Sequence, residues 1–165
     1  MLVKLLILGA SMATATSLAQ AQPAVRVDAS HLVAPRPLNE QTQSAAVRDY
    51  LESWQSMSEA LTQNREDLLD ADFVGAARER LGDAIHDQSS MNLSTRYQDR
   101  SHNIQVLFYS PEGLSIELAD NAEYDVQVSE NGKILATYPE HARYIVVLTP
   151  SEVRWRVRIL QATSD

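Results

Sequence analysis

The chain has 165 residues, a formal net charge of −8 at neutral pH and no cysteine. Hydrophobic residues make up 44% of it and charged residues 22%, as in one soluble globular domain with its own core. The acidic balance argues against nucleic-acid binding, because phosphate contacts need basic surface. The lack of cysteine excludes disulfides, thiolate metal ligands and a cysteine nucleophile.

Residues 1–21 have the features of a secretory signal peptide. Lys4 supplies a basic start, an apolar stretch follows, and Ala19-Gln20-Ala21 is a cleavage motif. We expect cleavage before Gln22, with Ser17-Leu18-Ala19 as the alternative site, and a periplasmic or secreted product. The apolar stretch is shorter than the roughly 20 residues that a membrane span needs, so no stable membrane insertion is expected after cleavage.

Residues 22–42 carry Pro23, Pro35 and Pro37 without a clear hydrophobic period. This composition predicts an extended or mobile lead-in. A single domain is expected to follow over residues 43–163.

The pattern then becomes helical. Ser44 is a candidate N-cap for a helix over about 44–62, Asn64 precedes a short helical turn, and Asp72 is a candidate cap for a helix over about 72–88. The first helix is predicted from an apolar stripe with i, i+3, i+4 and i+7 spacing: Val47, Tyr50, Leu51, Trp54, Met57 and Leu61. Asp49 falls on the opposite side, which we expect to face water.

From about residue 91 the hydrophobic period changes to two, which predicts long strands. The inward parity changes from odd to even between Tyr97 and Ile104, so we expect a bulge at 99–103. Asn131-Gly132 predicts a tight hairpin, and further bends are expected at 119–121 and 139–141. The last strand would turn four apolar side chains inward: Val153, Trp155, Val157 and Ile159.

Helices followed by strands indicate an α+β fold. We expect two to three helices packed on one face of a long, curved antiparallel sheet of at least four strands. Such a sheet wrapped around helices would form a cone with a concave interior.

Three arginines, Arg154, Arg156 and Arg158, alternate with the apolar residues of the last strand, and Arg143 has the outward parity of the strand before it. The simplest interpretation is a solvated sheet face with cross-strand ion pairs to Glu117, Glu123 and Asp125. The alternative is a face that binds a protein partner or a second copy of the chain. Four outward apolar residues would then belong to the interface: Leu135, Ile145, Val147 and Leu160.

The order of elements, the Asn131-Gly132 hairpin and the closing run "RWRVRIL" resemble the nuclear transport factor 2-like superfamily of cone-shaped, cystatin-like α+β domains. Within it, the middle of the chain resembles the SnoaL-like domains of bacteria. "VRDYLESW" and "LLDADFVGAARERL" are also similar to the cone-shaped domain of some plastid and cyanobacterial division proteins. The resemblance covers about residues 44–162 and departs at "TPSEVRW", a turn without glycine. It implies the cone fold, while such superfamilies contain isomerases, dehydratases, cyclases and pure binding modules.

Candidate chemistry is concentrated on the predicted inner face. Among its titratable acids, only Asp99 and Asp120 have inward parity, and both lie at predicted bends; His102 and His141 flank two of the bends. Asp99, His102 and His141 are therefore the candidates for acid–base catalysis. The histidine spacing favours no metal site, and no phosphate-binding glycine motif or other cofactor motif is present. Candidate ligand-binding residues are the inward aromatics Tyr50, Trp54, Tyr97, Tyr124 and Tyr144.

Two functions follow from these residues. The first is a non-catalytic, exported binding domain that holds a small apolar ligand in the cone, or a protein partner or second copy on the sheet. The alternative is an isomerase, cyclase or dehydratase with an acid–base group in the cone. An inward Asp, Glu or His beside a cavity would favour the enzyme, and an interior of aromatic residues alone would favour the binding domain.

Overall fold

The structure is a computed structural model that describes residues 22–163. The predicted signal peptide, residues 1–21, lies outside these residues. Two helices and a short 3-10 turn pack on one curved five-stranded sheet, which confirms the predicted α+β fold. None of the helices in this part of the chain is long and apolar enough to cross a bilayer. The elements in chain order are β1 (Ala24–Asp28), α1 (Glu40–Gln63), the 3-10 turn (Glu66–Leu69), α2 (Gly75–Ser90), β2 (Leu93–Tyr109), β3 (Ile116–Glu130), β4 (Lys133–Pro150) and β5 (Trp155–Thr163).

The sheet follows chain order from β1 to β5, with antiparallel pairing from β2 onward. Part of the predicted lead-in belongs to it, because residues 24–28 form β1 and pair in parallel with residues 101–105 of β2. Parallel pairing was not foreseen from the sequence, since so short a strand has no period of its own.

Helix α1 begins four residues before the predicted start. Asn39, not Ser44, is its N-cap, and the Asn39 side chain accepts the Thr42 amide at 2.7 Å. Helix α2 begins at Gly75, later than predicted, and no side chain caps it, so the predicted cap at Asp72 is wrong. Asp72 is instead 3% exposed and belongs to a partly buried ion pair with Arg154, described below.

The predicted bulge at 99–103 is confirmed, because the β2–β3 register shifts between Asp99 and Ser101. By contrast, β3 pairs continuously through 119–121, where a bend was expected. A second, unpredicted shift after Val106 turns Tyr109 inward and moves Phe108 to the outer face. Long strands thus change their inward parity at bulges, which a period of two cannot locate by itself.

A further shift in the β4–β5 pairing corrects the predicted inner face of β5. Val157 is buried opposite Leu148, but Ile159 then pairs with Val147 on the outer face, and Leu160 packs against the core. Val153 precedes the strand and is 86% exposed, so its predicted inward position is wrong. Trp155 packs against the core as expected.

The predicted ion pairs of the arginines are also wrong. Arg154 pairs with Asp72 and lies 3.8 Å from Glu52, while Arg156 donates to the backbone oxygens of Asp70 (2.5 Å) and Phe73 (3.0 Å). These partners lie beside the edge of β5 that does not pair with β4. Residues 72–74 cover that edge through backbone hydrogen bonds to Val157. An arginine at a strand edge can fold back over the covering segment instead of reaching across the sheet.

Helix α1 covers the edge of β2 beyond the end of β1. Its polar side chains there donate to backbone oxygens of the strand, so the edge has no row of free acceptors. The bonds run from Ser58 to Tyr97 (2.8 Å), from Thr62 to Thr95 (3.3 Å) and from Asn64 to Leu93 (2.8 Å), and Ser58 also accepts the Tyr97 amide (3.0 Å).

Candidate functional site

A buried cluster of polar side chains lies between α1 and the sheet. Asp120, at the middle of β3, is fully buried, and its Oδ2 accepts the Tyr50 hydroxyl at 2.8 Å. The same oxygen lies 2.7 Å from Nδ1 of His102, which is 2% exposed. The helical stripe of α1 brings Tyr50 over the sheet, and strict alternation along β3 turns Asp120 toward it.

The bulge in β2 brings Asp99 to the same cluster. Odd residues face inward before the bulge and even residues after it, so Asp99 and His102 share the inner face although they are three positions apart. Asp99 Oδ2 is 3.7 Å from His102 Nε2, and the Asp99 side chain is 16% exposed. His102 therefore lies between two carboxylates, one deeply buried and one close to solvent.

The two carboxylates decide the protonation of His102. Burial by itself would lower the pKa of His102, but the hydrogen bond and charge of Asp120 and the nearby carboxylate of Asp99 outweigh burial and raise the pKa to about 9. The imidazole is therefore protonated at neutral pH. Burial, followed by the charge of Asp120, also raises the pKa of Tyr50 well above its usual range, so its hydroxyl keeps its proton.

Aromatic rings surround this cluster. Trp54 lies 5.1 Å from His102, 5.4 Å from both Tyr124 and Tyr144, and 6.4 Å from Tyr97, between ring centroids. The hydroxyls of Tyr124 and Tyr144 are 2.7 Å apart. Burial raises the pKa of Tyr97 to about 12 and also raises that of Tyr124 and Tyr144. Of the five aromatics singled out in the sequence, Tyr50 and Trp54 therefore contact His102, and the other three pack against Trp54.

A groove of about 710 Å³ connects the cluster with solvent. Trp54, Tyr97 and Asp99 form its inner end, next to His102. Its other lining residues come from the start of β1, from α1, and from β2 and β3: Gln22, Pro23, Gln55, Ser58, Glu59, Thr62, Gln63, Arg96, Gln98, Arg100 and Asp125. A separate groove of about 400 Å³ lies between β1 and α1, lined by Val27, Gln43, Ser44, Val47, Arg48, Leu51, Glu52 and Gln55.

Three polar atoms of the cluster have no hydrogen-bond partner within residues 22–163: His102 Nε2, Trp54 Nε1 and Asp120 Oδ1. A buried polar group without a partner costs free energy, and such groups are concentrated at functional sites. The free Nε2 is the one that faces Asp99, on the groove side.

The remaining predicted site residues do not join the cluster. His141 is exposed and lies opposite Glu123 on the outer side of the sheet. Arg143 is half-buried on that side and Arg158 is exposed. The described residues contain no group of three His, Asp or Glu side chains suited to a metal ion.

Asp120 is the member that sequence reasoning passed over. Its inward parity was visible in the even-numbered alternation of β3, but the expected bend at 119–121 made that parity uncertain. The partner that would have resolved it, Tyr50, lies 70 positions away in the chain.

No protein-family model matches this sequence, and no curated protein is significantly similar to it. Solved structures match its shape. The intermembrane-space region of the chloroplast protein ARC6 superposes with a TM-score of 0.62 at 13% identity, over 79% of this chain and 100% of that one. A candidate scytalone dehydratase from Novosphingobium aromaticivorans gives 0.51 at 12% identity, over 76% and 89%. A protein from Catenulispora acidiphila gives 0.51 at 11% identity, over 75% and 94%.

At these identities the likeness establishes the fold and leaves the activity open. The neighbours include both a candidate dehydratase and the intermembrane-space region of a chloroplast protein, so the shape by itself selects neither class of function. The described residues share with these structures a fold of two helices on a curved, mostly antiparallel five-stranded sheet, which is the fold that the resemblance to the nuclear transport factor 2-like superfamily predicted.

Proposed function

We propose that this protein is an acid–base enzyme of the isomerase or dehydratase class, with Asp99 and His102 as the reacting groups. One observation carries the proposal. The imidazole of His102 is held at Nδ1 by buried Asp120, while its Nε2, which has no hydrogen-bond partner within residues 22–163, lies 3.7 Å from Asp99, the member of the pair that lines a solvent-accessible groove. A histidine oriented at one nitrogen and free at the other is the usual arrangement of a general acid or base.

The protonation states assign the roles. His102 is protonated at neutral pH and is the acid, while Asp99 is the base. Asp99 removes a proton from the carbon next to a carbonyl group of the substrate, and His102 transfers its Nε2 proton to the carbonyl oxygen, which gives an enol. Return of a proton to a different carbon completes an isomerisation. Transfer of the His102 proton to a departing hydroxyl instead releases water and completes a dehydration.

Asp120 and Tyr50 are positioning residues in this scheme. Asp120 holds the Nδ1–H of His102 and stabilises the imidazolium, and the Tyr50 hydroxyl orients the carboxylate. Both lie on the Nδ1 side of the imidazole, away from Asp99 and the groove, so neither is expected to touch the substrate, which reaches His102 past Asp99.

The test uses (R)-acetoin, a small neutral hydroxyketone, incubated with the protein in D₂O. We expect loss of optical rotation together with exchange of the proton at C3, followed by NMR against a buffer blank. Asp99→Asn and His102→Gln should each lower the exchange rate at least about 100-fold, as expected for removal of a general acid or base. His141→Gln is the matched control, since His141 lies on the outer face, and should exchange at the wild-type rate. Exchange at the blank rate in the wild type, or equal rates in His102→Gln and the wild type, would rule the proposal out.

A second candidate function is non-catalytic binding of a small apolar ligand. The observation in its favour is a group of aromatic rings: Trp54 and Tyr97 belong to the groove lining, and Tyr124 and Tyr144 pack against Trp54 behind it. The neutral fluorescent probe N-phenyl-1-naphthylamine tests it. Binding that is lost in Tyr97→Ala but kept in His102→Gln, in a protein with no exchange activity, would favour this function over catalysis.

Export of the chain is also proposed, on the strength of the Ala19-Gln20-Ala21 motif. Intact mass of the protein recovered from the periplasm or medium of a bacterial host should correspond to a chain that begins at Gln22. A full-length product that stays with the cytoplasmic fraction would contradict export.

Self-association through the outer sheet face remains a prediction for the surface that includes Arg143, Ile145 and Val147. Sedimentation equilibrium of the wild type and of Ile145→Lys decides it. A dimer that becomes a monomer in the variant supports this interface, and a wild-type monomer excludes it.

A further inference from the structure

We infer that the substrate admitted by the groove is a neutral, hydroxyl-rich ring compound of the sugar class. The inference rests on the proposed function, because it names the substrate of the same site. The observation behind it is the chemistry of the lining. Fourteen residues line the groove, and they include four amides (Gln22, Gln55, Gln63 and Gln98), two hydroxyls (Ser58 and Thr62) and two aromatic rings (Trp54 and Tyr97).

An apolar substrate does not suit this lining. Pro23, Trp54 and Tyr97 are the apolar or aromatic residues of the lining and the other eleven are polar or charged, so a wholly apolar ligand would remove water from many amide and charged groups without replacing their hydrogen bonds. The smaller groove beside β1 differs, since Val27, Val47 and Leu51 contribute to it. A buried hydrocarbon would be better accommodated there.

An extended peptide added to the sheet does not suit it either. Strand addition needs free backbone groups at a sheet edge. Beside the groove, the backbone oxygens of Leu93, Thr95 and Tyr97 already accept side chains of α1. Recognition in this groove must therefore come from side chains, which favours a compact ligand over a strand.

The charge of the lining excludes a strongly anionic ligand. Three carboxylates, Glu59, Asp99 and Asp125, face two arginines, Arg96 and Arg100. Arg100 is already paired with Asp125 at 2.7 Å, which leaves Arg96, among the described residues of the lining, as the unpaired cation against the two carboxylates of Glu59 and Asp99. A neutral ligand is the class that this balance accepts.

Two pairs of polar groups in the lining are also oriented by hydrogen bonds to one another. The Gln63 amide donates to Glu59 at 2.8 Å, and Arg100 donates to Asp125 at 2.8 Å. Each of these planar groups keeps further donors or acceptors after its internal bond. A sugar presents many hydroxyls that both donate and accept, so fixed planar partners can satisfy them with little loss of side-chain entropy.

The aromatic rings at the inner end complete the fit. A sugar ring has an apolar face of C–H groups, which packs against an aromatic ring while the hydroxyls point outward to polar side chains. Tyr97 is half-buried and lines the groove together with Asp99, with Trp54 packed behind it, so a sugar ring on Tyr97 would bring its reducing-end carbon, a carbonyl carbon in the open-chain form, near that carboxylate. The volume of about 710 Å³ lies in the range of small-molecule sites.

The test is titration calorimetry of the full exported chain with maltotriose, cellotriose and chitotriose. We expect saturable binding of at least one of the three. The double variant Gln55→Leu and Gln98→Leu should weaken it about tenfold or more, since loss of one or two hydrogen bonds corresponds to roughly that factor. The matched control is Gln161→Leu, an exposed amide on β5 outside the groove, which should bind as the wild type does. Absence of binding by all three sugars, or equal affinity in the double variant and the wild type, would overturn the inference.

His102→Gln separates this inference from the proposed function. Sugar binding by the wild type and His102→Gln, together with no acetoin exchange by the wild type, would leave a sugar-binding protein and reject the enzyme. Exchange that depends on Asp99 and His102 in a protein that binds none of the sugars would keep the enzyme and reject the sugar.

Discussion

The raised pKa of His102 makes folding stability depend on pH in a way that one substitution removes. The folded-state pKa is about 9, against a usual value of 6.5. Because the folded protein binds the proton more tightly than the unfolded chain, the extra stability is fully present below about pH 6.5. It is lost as pH rises through about pH 9.

The magnitude follows from the shift. One pKa unit corresponds to about 1.4 kcal/mol, so the protonated imidazole contributes about 3 kcal/mol to the free energy of unfolding at low pH. Its surroundings support a large effect, since His102 is 2% exposed and is faced by Asp120 and Asp99 from the sheet and by Tyr50 from α1.

The assay is urea unfolding of the wild type and of His102→Gln between about pH 6 and pH 9.5. Glutamine keeps a donor for Asp120 but does not titrate. We expect the wild type to lose about 3 kcal/mol more than the variant across this range. Subtracting the variant removes the contributions of other groups that titrate over the same pH values. Equal pH slopes for the two proteins would refute the reasoning, since they would mean that His102 binds its proton no more tightly in the folded state.

Two further substitutions test the packing. Trp54→Ala removes a side chain that is 1% exposed and should lower the free energy of unfolding by about 3–5 kcal/mol in urea titrations. Val153→Ala, the control at an exposed position, should change the free energy of unfolding by less than about 0.5 kcal/mol. Equal effects of the two substitutions would contradict the assignment of Trp54 to the core. Arg154→Met leaves the carboxylate of Asp72 buried without its arginine and should cost about 2 kcal/mol, less than for a fully buried pair because the Arg154 side chain is one-third exposed. Arg158→Gln is the control at an exposed arginine, and thermal unfolding of both variants at neutral pH measures the stability that each one loses. A loss for Arg154→Met as small as that for Arg158→Gln would mean that the Arg154–Asp72 ion pair does not stabilise the fold.

Much of the candidate site was within reach of sequence reasoning. The change of parity between Tyr97 and Ile104 predicted the bulge, and the bulge is what places Asp99 and His102 on one face. The helical stripe of α1 likewise predicted that Tyr50 and Trp54 face the sheet. These are local periodicities, and each needs only neighbouring residues to be recognised.

The arginines and Asp49 show where periodicity is insufficient. Asp49 lies on the side of α1 expected to face water, yet it is 3% exposed and accepts the Trp155 amide at 2.8 Å. Arg154 and Arg156 alternate correctly along the chain but contact the segment that covers the edge of β5. The start of a distant strand and the loop beside it determine these contacts, and neither is encoded in the alternation.

The amino-acid sequence by itself determined the class of fold, the long curved strands and the bulge that interrupts the first of them, because hydrophobic burial imposes its period on each element separately. Only the tertiary structure decided that Asp120 and Tyr50 fix one nitrogen of His102 while the other faces Asp99 and the groove. That cluster joins α1, β2 and β3, and its chemistry depends on distances of about 3 Å between residues up to 70 positions apart. The same contacts raise the pKa of the histidine, so the property that makes the site a candidate for catalysis exists only once the helix has packed on the sheet.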